Sequence, residues 1–327
     1  MQYRRLEQTA DLYVGYHADV QVCRKILSKG SKSFNHASWL LPQELRQACS
    51  AVYAFCRLAD DAVDQGDPTH ALADLHQSLD RVYAGQGQGA VERALAAVVS
   101  QYQLPRLVFD ALLEGFEWDI ENRRYASITS LEDYCARVAS TVGTLLTLIA
   151  GVREPRVVAR ACELGLAMQL TNIARDVGED ARNHRVYLPL DWLHDAELEP
   201  DSLVAKPSYG PAIASVIKRV LDHAQQYYQS AFAGLPYLPK STQGAFRAAG
   251  LIYADIGRVL AGFNYDSINR RAYTSTGRKL WLLLRAMFAY SSDRQPLDSD
   301  TSIALRFLMH AGEYKPTGYQ AESRRAV

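Results

Sequence analysis

The sequence predicts an all-α, single-domain protein with its helices gathered around a central apolar cavity. Three observations carry this expectation. Apolar residues recur at three- and four-residue steps in segment after segment. No convincing run alternates with the period of two that a strand requires. Two otherwise greasy helices each carry one polar stripe with paired carboxylates and a nearby arginine, the pattern of a cavity wall rather than a solvated face.

Residues 11–29 are periodic and stop at Gly30. Ser31-Lys32-Ser33-Phe34 reads as a turn-like element ahead of a helix over 35–41. Pro42 opens the first acid-bearing helix, Gln43–Gln65, and Gly66, Asp67 and Pro68 close it. Helices follow over 70–84 and 90–102. The Gly85-Gln86-Gly87-Gln88-Gly89 between them is a flexible connection, since no strand precedes it and its spacing is not that of a dinucleotide fingerprint. Pro105 opens a helix to about 122 that carries Glu114, Glu117, Trp118 and Asp119. Ser130, with Asp133 three residues on, reads as the N-cap of a helix reaching about 150. The second acid-bearing helix spans about 156–182, and a proline-marked loop with Pro200, Pro207 and Pro211 follows. Helices then cover 212–234, 241–269 (with Tyr253, Asn264 and Tyr265) and 277–291. The expected division is a catalytic domain over 1–291 and a tail over 292–327, weakly helical near 301–311 and otherwise disordered.

The bulk properties exclude several classes. The 327 residues are 48% hydrophobic and 22% charged with zero formal net charge, so nothing invites nucleic acid. Cys23, Cys49, Cys56, Cys135 and Cys162 are scattered, without a C-x-x-C, and read as reduced intracellular core thiols. The polar N-terminus shows no secretory signal, and no apolar run nears the ~18 residues of a membrane span. Cytoplasmic placement is expected. Leu280 to Leu284, flanked by Arg278, Lys279 and Arg285, fits a core helix better than a membrane-surface one.

On the first acid-bearing helix Arg46, Ser50, Tyr53, Arg57, Asp60 and Asp64 fall on one stripe. On the second, Gln169, Asn172, Asp176 and Asp180 share roughly 80° of arc, with Arg175 beside them. Like charges at i, i+4 repel, and more so when partly buried, unless a cation sits between them. Three chemistries use clustered carboxylates. A glycosidase needs one pair, not two clusters. A di-iron bundle needs Glu-x-x-His motifs, which the relevant helices lack. A Mg²⁺ site takes aspartates without His or Cys and shares its ligands with phosphate. Arg57 and Arg175, joined by Arg182, Arg185 or Lys279, complete an anion site. Two such clusters across an apolar cavity point to a substrate with a diphosphate head and a hydrocarbon tail.

The residues then resemble the squalene and phytoene synthase family, most closely its bacterial phytoene-forming members. The likeness rests on Ser31-Lys32-Ser33-Phe34, the run Tyr53 through Asp64, Tyr134-Cys135-Ala136-Arg137-Val138-Ala139 with Thr141-Val142-Gly143, the run Gln169 through Asp180, Arg185-Val186-Tyr187-Leu188-Pro189, and Asn264-Tyr265-Asp266-Ser267. It covers roughly residues 19–290 in order. Ser140 departs from the glycine of many members and is expected to narrow the cavity slightly.

The resemblance implies an isoprenoid synthase fold and head-to-head joining of two geranylgeranyl diphosphates through a cyclopropyl diphosphate, a first step of carotenoid formation. Farnesyl-using squalene, dehydrosqualene or presqualene diphosphate synthesis is the alternative within the family, and a non-catalytic assembly factor is a second one. The resemblance assigns Mg²⁺, with Mn²⁺ as a substitute, to Asp60, Asp64, Asp176, Asp180 and Asn172, with Asp61 beside them. It assigns diphosphate contacts to Ser31, Ser33, Arg57, Arg175, Gln169 and Asn172, and cation guidance to Tyr53, Tyr134 and Tyr265. No NADPH is expected. Implied partners are the prenyl diphosphate, a peripheral contact with the inner membrane for release of the product, and neighbouring carotenoid enzymes.

Overall fold

The computed structural model describes residues 17–65, 68–288, 294, 296–297 and 301–313, and within them every regular element is helical. The first three are α1 (His17–Gly30), α2 (Lys32–Ser38) and α3 (Gln43–Gln65). The expectation for residues 11–16 lies outside the described residues. Helix α2 starts earlier than its periodicity suggests because Ser31 caps it, its hydroxyl accepting from Phe34 N at 3.1 Å. The turn expected over Ser31 to Phe34 is thus the cap and first turn of α2, which ends at Ser38 rather than 41.

Helices α4 (Pro68–Tyr83), α5 (Ala90–Tyr102) and α6 (Arg106–Ile120) follow as expected. Next, α7 (Ile128–Cys135) runs through one π-helical turn, Ala136–Ser140, into α8 (Thr141–Ile149). Its N-cap is Ser127 rather than Ser130. The two serines form a reciprocal capping box, so Ser130 is three residues inside. The π turn has a local cause. The Ser140 hydroxyl donates to Cys162 O at 2.7 Å, and a Cβ on Gly165 would fall 2.7 Å from Ala139 O, so the π turn lies directly on the next helix. Ser140 is fully buried at that contact and does not line the cavity, contrary to the narrowing expected of it.

Helix α9 (Pro155–Arg182) is the central element, 28 residues and ~42 Å long. Pro155 opens it behind Glu154, whose carboxylate accepts from Val157 N at 3.0 Å. It is buried on nearly every side, touching α8 and the π turn as well as α12 (Pro211–Gly234) and α13 (Lys240–Gly262). Each fully buried leucine along it, such as Leu166 and Leu170, contributes about 2 kcal/mol. The proline-marked loop contains two short helices, α10 (Leu190–Asp195) and α11 (Pro200–Ala205), each opened by a proline at or beside its first residue. Helix α13 stops at Gly262, seven residues short of the expected end. Asn264 and Tyr265 take left-handed φ angles of 52° and 61°, which no helix continues through.

Helix α14 (Thr276–Phe288) lies on the outer face of α13 and of α2. Finally 301–313 folds back as α15 (Arg306–Met309) between short 3₁₀ turns, with Leu305 and Leu308 fully buried. Buried Glu132 accepts from Tyr227 (2.6 Å) and Ser302 (2.6 Å), and His223 Nε2 lies 2.7 Å away. Burial alone raises its pKa, but these contacts outweigh that and hold it below the usual range. No helix among the described residues is long and apolar enough to cross a membrane.

Candidate active site

A cavity of about 310 Å³ opens between α2, α3, α6, α7–α8, α9 and α13. One water fills ~30 Å³, so this space suits a ligand rather than trapped solvent. Its lining changes character along each helix. On α3 it passes from Leu45 and Cys49 to Tyr53, Arg57 and Asp60; on α6 from Leu112 and Phe116 to Asp119; on α9 from Ala161 and Leu164 to Gln169 and Asn172. Along α7–α8 the order reverses, Tyr134 preceding Val138, Val142 and Leu146. Cross-links between helices place these polar ends together. Tyr134 donates to Asp119 Oδ2 at 2.9 Å, and Tyr53 and Tyr253 bear on one another electrostatically, as do Tyr253 and Arg175, and Asp119 and Asp180. The result is a polar mouth over an apolar floor.

On the first wall, Arg57 spans Asp60 (3.3 Å) and Asp61 (2.5 Å). Burial opposes its charge, but the two carboxylates win and raise its pKa. Asp64 is on α3; its side chain lies outside the described residues. On the second wall Asp176 is gripped by Arg175 (2.8 Å) and by Arg271 (2.9 Å), which also holds Glu179 at 2.9 Å. Burial first, then Asp176 and Glu179, push Asp180 up to about 8; the nearby Arg185 lowers its pKa, but less strongly than these raise it. Beyond the acids, burial together with Lys32 and Arg175 lowers the pKa of Lys279. Like cations thus converge beside like carboxylates, which favours a ligand set of anion plus cation.

The donor set fits a hard divalent ion. Among the described residues no three His, Cys, Asp or Glu side chains stand close enough to cage one alone. However, Asn172 Oδ1, beside the cavity, is buried without a hydrogen-bond partner among them, although its amide nitrogen reaches Gln169 Oε1 at 3.3 Å. An orphaned carbonyl oxygen one helical turn before Asp176 suits Mg²⁺, which keeps waters and takes remaining ligands from phosphate.

Of the residues singled out from sequence, Tyr53, Arg57, Asp60, Tyr134, Gln169 and Asn172 line the cavity. Arg175, Asp176 and Asp180 continue the α9 stripe just past its lining. Ser31 and Ser33 do not border it; Phe34 does, and stacks on Tyr53 at 5.7 Å. Tyr265 does not line it either, because the left-handed turn takes it off α13.

Sequence reasoning missed Asp119, Tyr187, Tyr253 and Arg271 as site residues. Asp119 accepts from Tyr134 and from Tyr187 (2.7 Å), tying α6, α7 and the loop after α9 together at the mouth. Its position one helical turn past the lining Leu112 and Phe116 was the available signal. Arg271 had none, since only the fold of 264–271 brings it to α9. That loop lies tightly on the acidic helix. Gly178 N donates to Ser267 O at 3.0 Å, and Arg182 to Ile268 O at 3.2 Å. The cysteines are inert core or lining groups, burial pushing Cys49, Cys56 and Cys162 up to about 12.

A sequence profile described as squalene/phytoene synthase matches residues 27–278. A phytoene synthase of Rhodobacter capsulatus is 45% identical over 286 residues, covering 86% of this chain and 84% of that protein. A 15-cis-phytoene synthase of a Paracoccus species is 39% identical over 268 residues, covering 79% and 87%. Among solved structures, a dehydrosqualene synthase in complex with ligand is similar with a TM-score of 0.76 at 29% identity, over 84% of this chain and 97% of that one.

Proposed function

Because the chain belongs to the squalene/phytoene synthase family, we propose that it joins two geranylgeranyl diphosphates head to head to give phytoene and two diphosphates. The observation that carries this reading is the cavity itself, acidic and basic at one end and apolar along the rest. When bound, Mg²⁺ or Mn²⁺ held by Asp60, Asp64, Asp176, Asp180 and Asn172, with Asp61 beside them, neutralises charge on the departing diphosphate.

The chain's own groups do the remaining work. Arg57 and Arg175 bind diphosphate oxygens, with Lys32, Lys279 and Arg271 adding positive charge and Gln169 orienting Asn172. Ser31 and Ser33 flank Lys32 at the start of α2 and serve the same end. The walls formed by Leu45, Leu112, Val142, Leu146 and Leu164 exclude water from the allylic cation while the second substrate's double bond attacks it. Tyr53 and Tyr253, both in the lining, supply aromatic rings to stabilise that charge. Tyr134 keeps its proton, well above its ordinary pKa through burial and then Asp119, and its donation to Asp119 Oδ2 fixes the hydroxyl in the cavity lining. We assign the catalytic unit to residues 1–291, with 301–313 bracing it.

A C40 hydrocarbon does not dissolve in water, so the protein contacts a membrane peripherally to unload it. The deciding experiment incubates the protein with geranylgeranyl or farnesyl diphosphate, with and without a chelator. Expected are a C40 hydrocarbon with a conjugated triene at its centre and two diphosphates, lost on chelation and reduced at least ~1,000-fold by Asp60→Asn or Asp176→Asn. A preferred C30 product overturns the chain length. Diphosphate release indifferent to both substitutions overturns the catalytic reading.

A further inference from the structure

Helix α14 has an unpartnered side. Leu280, Trp281, Leu284, Met287 and Phe288 are exposed, Phe288 at 81%. At 100° per residue they share roughly 120° of arc. The other side, Leu282, Leu283 and Ala286, is buried against Ala248, Ala249 and Ile252 of α13 and Ala37 of α2. The core helix expected from sequence is therefore only half a core helix. A patch of five large apolar side chains on one face marks a contact surface.

The charge around it has one sign. Residues 267–292 hold Arg270, Arg271, Arg278, Lys279 and Arg285 and no carboxylate, in a chain of zero net charge. Arg271 and Lys279 serve the cavity mouth, and Arg278 is tied to Asp255 at 3.1 Å. Arg285 stands over the Trp281 ring at 5.6 Å, on the border of the patch. Beside it is Arg247 of α13, whose pKa is lowered by burial and by Arg285. Among the described residues neither Arg247 nor Arg285 has an ion-pair partner. Two arginines that close, unneutralised, at the rim of an apolar face match a lipid phosphate layer above an acyl layer.

We propose that the exposed face of α14 seats the protein on an anionic bilayer, with Leu280, Trp281, Leu284, Met287 and Phe288 at the acyl boundary and Arg247 and Arg285 among the lipid phosphates. The seating has a consequence for the cavity. Ala37 and Ala249 line the cavity and also belong to the cluster beneath α14. Among the described residues, that layer of small side chains and α14 itself lie between the cavity and the proposed bilayer. A hydrocarbon product leaves there, a purpose that rests on the reaction proposed above; the seating does not.

The test is co-sedimentation of the full chain with phosphatidylcholine vesicles, alone or mixed with phosphatidylglycerol, paired with turnover in detergent micelles. Wild-type protein is expected to bind the anionic vesicles more tightly, and less so as salt rises. Leu284→Ser with Phe288→Ser weakens binding at least about tenfold, and Arg285→Gln about fivefold with a flatter salt dependence. Detergent turnover of these variants stays at the wild-type level, which separates lost seating from lost folding. A double variant that binds vesicles like wild type overturns the proposal. So does a wild-type dimer that the double variant dissociates while neither binds vesicles, since the face then belongs to a second copy. Wild-type protein that binds vesicles but makes no product in detergent supports the seating and overturns the reaction.

Discussion

Gly178→Ala places one methyl group between the acidic stripe of α9 and the loop that carries Arg271. A Cβ there lies 2.4 Å from Ile268 O, 2.7 Å from its Cα and 2.8 Å from its carbonyl carbon. All three are backbone atoms, so no side chain can swing aside. Ordinary contact begins at 3.4 Å, and the loop or the helix must therefore yield by about 1 Å. Overpacking of this kind costs about 1–3 kcal/mol. Loss of the Gly178 N to Ser267 O hydrogen bond adds about 1 kcal/mol, and the better helix propensity of alanine returns about as much. The net is destabilisation by about 2 kcal/mol. For 327 residues the unfolding entropy is about 0.7 kcal/mol per kelvin, which makes this a fall of ~3 °C in Tm. Activity should fall further. Arg271 holds Asp176 and Glu179 from the displaced loop, and a shift of ~1 Å at a reacting site costs on the order of 100-fold. Thermal unfolding and diphosphate release are the two assays. Gly257→Ala is the control, since its Cβ meets only Leu221 side-chain atoms at 3.4 and 3.9 Å and should stabilise by up to ~1 kcal/mol. A Gly178→Ala protein as stable as that control and fully active would refute the packing argument.

Three further outcomes are expected. Asp119→Asn should retain the fold yet lower turnover by about 10- to 100-fold, because it weakens two charge-assisted hydrogen bonds that fix Tyr134 and Tyr187; unchanged kinetics in a steady-state assay would remove Asp119 from the site. Glu132→Ala leaves Tyr227, Ser302 and His223 without their shared acceptor and should cost about 3 kcal/mol, with faster proteolysis of 301–313 as its local signature. Glu92 is held down at about 2 chiefly by Arg81, although burial opposes this. A depressed folded-state pKa means stability present above the ordinary carboxylate value near 4.5 and lost as pH falls toward 2. Glu92→Gln should flatten urea stability across that window by about 1 kcal/mol, given solvent screening of the pair.

Most of the helices were legible in the chain because a helix's period is local. The stripe from Tyr53 to Asp60 and the stripe from Gln169 to Asp180 follow from residue spacing alone, and so does the inference that each lines something other than open water. The same spacing suggested a chemistry, because aspartates without His or Cys, next to arginines, suit a hard divalent ion and a diphosphate head group. Boundaries set by side-chain capping or by tertiary contacts were not. Ser127 outcompetes Ser130 as a cap because their hydroxyls bond reciprocally, and the expected helix over 241–269 breaks where 264–271 must turn to reach α9.

Only the folded chain could decide which residues meet from a distance. Asp119 with Tyr187, 68 positions apart, and Arg271 with Asp176, 95 apart, have no spacing to betray them. The fate of the greasy stretch in α14 was equally undecidable from sequence. Its pattern says that one face is buried, but whether the other face is covered depends on what α2 and α13 leave uncovered around it. Local periodicity thus determined the walls of the cavity, and long-range packing chose their partners.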